Sequence, residues 1–186
     1  TESFLSDEVE LEEIDTVRLP APSGKLANLL LSLDQRWLFL VEAQGKVEVL
    51  DLRNPVSEMR VFIADVVDTQ TRITVSDFLL GGFSLLIGDD KGRVSQWFLT
   101  YNDNNQPYLA NVRTMTLEPG VAITALQTEH RRKGFIAGDA NGNIGLFNTT
   151  AEREVLDENL TDSPIDWIAM SPRGDTAIFK PSGRAP

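Results

Sequence analysis

The residues whose types and spacing could do chemistry are Asp139, Asn141 and Asn143, in the stretch GDANGNIGLF over residues 138 to 147. Three side-chain oxygens at alternate positions match the opening ligands of a calcium loop. Such a loop also needs glycine at its sixth position and a bidentate glutamate at its twelfth. Counted from Asp139, those positions hold Ile144 and Thr150. Both requirements fail. Asn141-Gly142, in contrast, is a favoured pair for a tight hairpin turn, because both residue types tolerate positive φ. His130 is the one histidine of the chain, so no histidine pair or triad can assemble from it. Neither GxSxG nor GxxxxGK[ST] occurs. No spacing singles out a carboxylate pair among the 28 acidic residues. The sequence therefore assigns no catalytic residue, no cofactor and no metal ligand, and leaves any ligand-binding residue open.

What positions that stretch is a repeat. Aligned on a turn glycine, VEAQGKVEVLD (41 to 51), LIGDDKGRVSQWF (86 to 98) and AGDANGNIGLFN (137 to 148) fall into register on Gly45, Gly92 and Gly142. An aliphatic follows two residues later (Val47, Val94, Ile144) and a bulky apolar residue five later (Leu50, Trp97, Phe147). The period extends to Gly183. Each glycine is preceded by two short apolar runs bounded by turn residues, for example LANLLLSLD then RWLFLVEA, which predicts buried strands rather than helices. More polar fourth strands are expected at 58–66, 111–118 and 153–157. Four short antiparallel strands every 40 to 50 residues are the pattern of β-propeller blades, each too thin to bury its faces without a neighbour. Trp37, Trp97 and Trp167 all fall in predicted strands, where packing between blades is their expected role.

The expected fold is all-β: a partial β-propeller with three full units (26–67, 72–118, 122–158) and an incomplete fourth (164–186). Residues 1–15 form an acidic leader, either a short helix or disordered, before the propeller region 16–186. The leader carries seven acidic residues and no basic one; the rest has 21 acidic against 17 basic, so most of the formal charge of −11 sits in it. That balance argues against a nucleic-acid surface, since the longest basic cluster is Arg131-Arg132-Lys133. The absence of cysteine excludes disulfides and thiolate metal sites. No apolar run reaches the roughly 20 residues that span a bilayer. Asn148-Thr149-Thr150 and Asn159-Leu160-Thr161 match the glycosylation pattern, and Arg173-Gly174-Asp175 spells an adhesion tripeptide, although a turn accounts for the latter.

LSLDQRWLFLVEAQGKVEVLDL resembles a WD40-type repeat: SLDQRWLFL stands in the place of the family's Ser-Pro-Asp-Gly-Arg turn and following strand, with Leu50-Asp51 where its Trp-Asp pair would stand. SPRGDTAIF (171 to 179) repeats the turn. The second and third units depart, with Trp97-Phe98 and Phe147-Asn148, and no Gly-His pair precedes a blade. The resemblance implies about half of a seven- or eight-bladed ring, or most of a small one. Such an array leaves strand edges and blade faces open, so self-association is expected.

DDKGRVSQWF and SPIDWIAMSPRGD, together with the acidic approach segment, also resemble the large insertion of long-form phosphate ABC-transporter permeases. This second resemblance implies a periplasmic domain of an inner-membrane protein, non-catalytic, with other transporter subunits and a phosphate-binding protein as partners. The alternative is part of a soluble cytoplasmic WD40-like scaffold.

Overall fold

The computed structural model describes residues 16–151 and 153–183; the acidic leader 1–15 lies outside the described residues. Fourteen strands follow in chain order. The first sheet is β1 (Leu26–Leu31), β2 (Trp37–Glu42), β3 (Lys46–Asp51) and β4 (Arg60–Asp65). The second is β5 (Ile73–Phe78), β6 (Ser84–Asp89), β7 (Arg93–Tyr101) and β8 (Pro107–Thr116), and the third is β9 (Ile123–Thr128), β10 (Gly134–Asp139), β11 (Asn143–Asn148) and β12 (Arg153–Asn159). The fourth pairs β13 (Ile165–Met170) with β14 (Ala177–Pro181). Every neighbouring pair is an antiparallel meander, and the first strands β1, β5, β9 and β13 lie side by side. Three four-stranded blades and the first half of a fourth are therefore present, as the repeat predicts.

The residue pattern explains which strands sit inside. β2, β6 and β10 are nearly continuous apolar runs and are buried along their length, because each is covered on both faces. β1 and β4 alternate between half-buried and exposed residues. Between the first two sheets Phe39, Val41, Val49, Ile73 and Ile87 pack together, with Phe39 edge-on to Phe78 at 5.1 Å. Between the second and third, Leu86, Ile123 and Ala137 pack around the stacked pair Phe135 and Phe147 at 5.0 Å. Between the third and fourth, Ile136, Ile144, Ile165 and Ile168 do the same. Gly88 and Gly138 let the sheets approach. A Cβ on Gly138 would lie 2.7 Å from Ile165 Cβ, and one on Gly88 would lie 2.5 Å from Val75 Cγ2 and 3.0 Å from Ile123 Cγ2.

Three details differ from the sequence expectation. β8 begins at Pro107, earlier than residue 111, because a tight turn at Asn102–Gln106, with Asn105 at φ 57°, extends the β7–β8 hairpin. β12 continues to Asn159. Asn141 is not at positive φ; Gly142 alone is, at 83°. The loop is thus the three-residue kind, in which a turn is followed by one left-handed glycine, rather than a two-residue Asn-Gly turn.

Candidate functional site

The carboxylate of Asp139 is fully buried, and its geometry decides what the loop at residues 139–143 is. Its Oδ1 accepts the backbone N–H of Asn141 and of Asn143, both at 2.9 Å, and its Oδ2 accepts Asn143 Nδ2 at 2.8 Å. Asn141 and Asn143 also donate to Glu118, and Asn159 donates to Asn143 Oδ1 at 2.9 Å. The oxygens a cation would need are thus engaged by N–H donors of the chain itself. Asp89 repeats the arrangement, taking Lys91 N at 2.8 Å and Arg93 N at 3.0 Å, while Arg93 Nε closes on Oδ2 at 2.7 Å. The Asp89 hydrogen bond raises the Arg93 guanidinium above its ordinary value, against the opposing effect of burial. The Gly-Asp dipeptide at 88–89 and 138–139 is a structural unit: glycine for the approach of the next blade, aspartate to brace the turn. In the first blade Glu42 takes that position and turns elsewhere.

Glu42 is 2% exposed and Glu48 is fully buried, on adjacent strands β2 and β3. The Ser23 hydroxyl lies within hydrogen-bonding distance of both and shares its single proton between them. Ser23 N–H donates to Glu48 Oε1 and Gly24 N–H to Glu42 Oε1, each at 2.8 Å. Arg60 Nε lies 2.8 Å from Glu48 Oε2, an ion pair without an aligned hydrogen bond at that oxygen, and Arg60 Nη2 donates to Ala21 O at 2.6 Å. Burial pushes the Glu48 carboxyl up; the Ser23 hydroxyl and amide, Glu42 and Arg60 outweigh it, leaving it below the usual carboxylate range. The segment before β1 carries no strand in its described residues; it is a strap held to the first sheet by Ser23 and Gly24 on Glu42 and Glu48 and by Ala21 O on Arg60. Nothing in the repeat alignment signals this pairing, since a glutamate inside an apolar strand reads as an irregularity until its partner is placed.

The four first strands line a polar concavity of about 420 Å³. Asn28, Thr74, Ser76, Thr124, Gln127 and Asp166 supply its hydroxyls, amides and one carboxylate. Each blade junction carries a hydrogen bond here: Asn28 Nδ2 to Ser76 O at 3.0 Å, Thr128 Oγ1 to Asp77 Oδ2 at 2.9 Å, and Thr124 Oγ1 to Ile165 O at 2.7 Å. Trp167 stands over this face 52% exposed. Its expected packing between blades is thus corrected, because its side chain projects to the axial side while Ile165 and Ile168 fill the core. Trp37 is buried in the core, and Trp97 packs against the cluster between the first two blades with Nε1 donating to Ser95 Oγ at 2.9 Å. His130 and the Arg131-Arg132-Lys133 run are exposed, and Arg173-Gly174-Asp175 forms a turn with Gly174 at φ 70° and Asp175 accepting Ser171 Oγ. No group of three or more His, Cys, Asp or Glu suited to a metal occurs among the described residues.

Among solved structures, the chain is similar to the β-propeller domain of Myceliophteria thermophila Cps50 (Swd1), with TM-score 0.69 and 9% identity over 83% of this chain. It is also similar to the WD40 repeats of RRP9, with TM-score 0.64 and 11% identity over 81% of this chain. The fold is a partial WD40-type β-propeller. It spans 47% of the length of the first propeller and 43% of the second. No protein-family model and no curated protein sequence matches it.

Proposed function

We propose that this WD40-type array is a non-catalytic docking module, carried as the periplasmic domain of a phosphate ABC-transporter permease, with the other transporter subunits and the phosphate-binding protein as its partners. The observation that carries the docking part is the axial face: a rigid polar surface with an exposed tryptophan, where Asn28 and Thr124 bond across blade junctions and Thr74 and Gln127 bond within their own blades. The transporter part is supported by the likeness of DDKGRVSQWF and SPIDWIAMSPRGD to the permease insertion. Trp167 fits the role of a contact anchor, because a large ring held on a strand gives contact area at small entropic cost.

The parent reading frame tests the transporter part. Several flanking segments of about 20 apolar residues are expected; a parent without them overturns it and leaves a cytoplasmic scaffold. Chemical cross-linking of the intact parent tests the docking part. Capture of a transporter subunit or the phosphate-binding protein is expected, lost in Trp167→Ala; equal capture by that variant overturns the assignment of this face.

A further inference from the structure

The inner hairpin turns of the four sheets, β1–β2, β5–β6, β9–β10 and β13–β14, are built alike. Each is closed by a backbone hydrogen bond of 2.8 to 2.9 Å: Ser32 N–H to Trp37 O, Leu79 N–H to Ser84 O, Glu129 N–H to Gly134 O and Ser171 N–H to Thr176 O. The residue after each donor therefore holds the same crest position, which is Leu33, Leu80, His130 and Pro172 in turn. All four are exposed, Leu33 by 75% and Leu80 by 42%. The crests adjoin one another. A Cβ on Gly82 would lie 2.9 Å from Leu33 Cβ, and Leu33, Leu80 and His130 together line a notch of about 270 Å³. Leu80 has a complete blade on either side, so its exposure belongs to the turn and not to an edge of the array.

Charge separates the two ends of the strands. At the crest end the first two turns are apolar at their tips, and the next two carry Arg131, Arg132, Lys133 and Arg173, all exposed. Arg131, Lys133 and Arg173 form no ion pair among the described residues. The carboxylates of these turns are drawn inward: Asp34 accepts Ser32 Oγ and Arg36 N–H, Asp175 accepts Ser171 Oγ, and Glu129 is buried. At the opposite end, the β6–β7 turn and the connectors between blades hold Asp68, Asp90, Glu118 and Asp162 against Arg72 and Lys91. Free cations and exposed leucines thus gather at one end of a chain whose formal charge is −11.

We propose that the crest end is a docking surface for an anionic lipid bilayer, with Leu33 and Leu80 entering the headgroup region and Arg131, Lys133 and Arg173 resting on lipid phosphates. Interfacial binding adds buried apolar area to the attraction between basic side chains and anionic headgroups, and it asks for both at one level across several blades. The long basic side chains can lay their stems along the apolar boundary while their charges stay at the phosphates. A protein partner would instead seat its anchors in packed pockets, whereas Leu33 is a protruding tip. This surface uses other residues than the axial face and does not depend on the permease reading, so failure of either leaves the other standing.

The chain has no cysteine, so a single introduced one can carry the fluorophore NBD, which brightens and shifts to the blue on leaving water. Labelled Leu80→Cys reports on the crest and labelled Gln70→Cys on the exposed connector at the opposite end. Each is mixed with vesicles of phosphatidylcholine alone, or of phosphatidylcholine and phosphatidylglycerol in equal parts. A blue shift is expected at position 80 only, with the phosphatidylglycerol vesicles only, and it should fade as salt is raised. In flotation with the same vesicles, Arg131→Gln combined with Lys133→Gln should bind at least about tenfold more weakly. Leu33→Gln should also weaken binding. No shift with the anionic vesicles, an equal shift with the neutral ones, or a shift at position 70 overturns the proposal. So does labelled Leu80→Cys responding to polyglutamate as strongly as to vesicles, which would assign an acidic protein partner, or a dimer in sedimentation that Leu33→Gln dissociates, which would seat a second copy on the crests.

Discussion

The two ends of the array bury carboxylates in opposite ways. At the first blade Glu42 and Glu48 are shielded from water, yet the strap brings a hydroxyl and two backbone N–H groups to them, and Arg60 of β4 brings a cation to Glu48. Where the third blade meets the fourth, Glu129 at the end of β9 is nearly as buried and its Oε2 lacks a hydrogen bond. The difference is whether donors reach the carboxylate: Ser23, Gly24 and Arg60 do so at the first blade, whereas Arg132 comes only to 3.8 Å from Glu129.

Removing the cation at the satisfied end should have the largest effect. Arg60→Ala leaves Glu48 buried without its counter-ion, and breaking such a pair costs about 3 kcal/mol, at the low end of the usual range because Arg60 is itself partly exposed. Urea unfolding should show that loss as a lower midpoint, with Arg60→Lys recovering part of it. Ser23→Ala should follow at about 2 kcal/mol, because its hydroxyl, sharing one proton between two buried carboxylates, makes a charge-assisted hydrogen bond, worth more than a neutral one. An unchanged midpoint in both variants would mean that the strap contributes nothing to the first blade.

Acid should loosen the same end. The Glu48 carboxyl is held below its ordinary range, and so is Asp51, where the Arg36 hydrogen bond outweighs burial. A group with a depressed folded pKa binds protons more readily when unfolded, so its contribution is present above about pH 4.3 and is lost as pH falls through the folded value. Denaturation midpoints from pH 6 to 3 should fall below that point, less steeply in Glu48→Gln, which starts lower. At the other end the sign reverses. Glu129→Leu exchanges an unsatisfied carboxylate for a side chain that suits its apolar surroundings, and should raise stability by about 1 kcal/mol. A lower midpoint would show that Arg132, despite its distance, already satisfies Glu129.

The blades were legible in the sequence because sheets covered on both faces demand continuous apolar strands, and the turn glycines keep the copies in register. The first, second and third strands were readable for that reason. The fourth strands were placed less sharply, since β8 and β12 alternate and their ends are set by local turns such as Asn102–Gln106. The strap was not legible. Its contacts join Ser23 to Glu42 and Glu48 across a distance in the chain that no periodicity records, and Ser23 resembles any loop serine until the glutamates are in place. Glu129 escaped notice for the converse reason: it sits among His130, Arg131 and Arg132, which are exposed as a charged turn should be, and only Gly134 hints at the space it turns into.

The smallest expected effect compares the same turn at the two ends. Ser32-Leu33-Asp34-Gln35 and Ser171-Pro172-Arg173-Gly174 each close with the amide of the fourth residue donating to the carbonyl of the serine at 2.9 Å, and each fourth residue is left-handed, Gln35 at φ 57° and Gly174 at φ 70°. Glycine adopts that conformation freely, whereas a residue with a Cβ is strained there by roughly 1 kcal/mol. Ser32 offsets this at the first blade: its hydroxyl accepts Trp37 N–H at 2.9 Å and reaches Asp34, which also caps Arg36 N–H at 3.2 Å. Gln35→Gly should relieve the strain and add about 0.5 kcal/mol, reduced from the full value because glycine also frees the unfolded chain. Gly174→Ala should cost about 1 kcal/mol, since its turn lacks the buried tryptophan amide that fixes the first. If both variants moved the midpoint in the same direction, the left-handed residue would not be what sets the stability of these two turns.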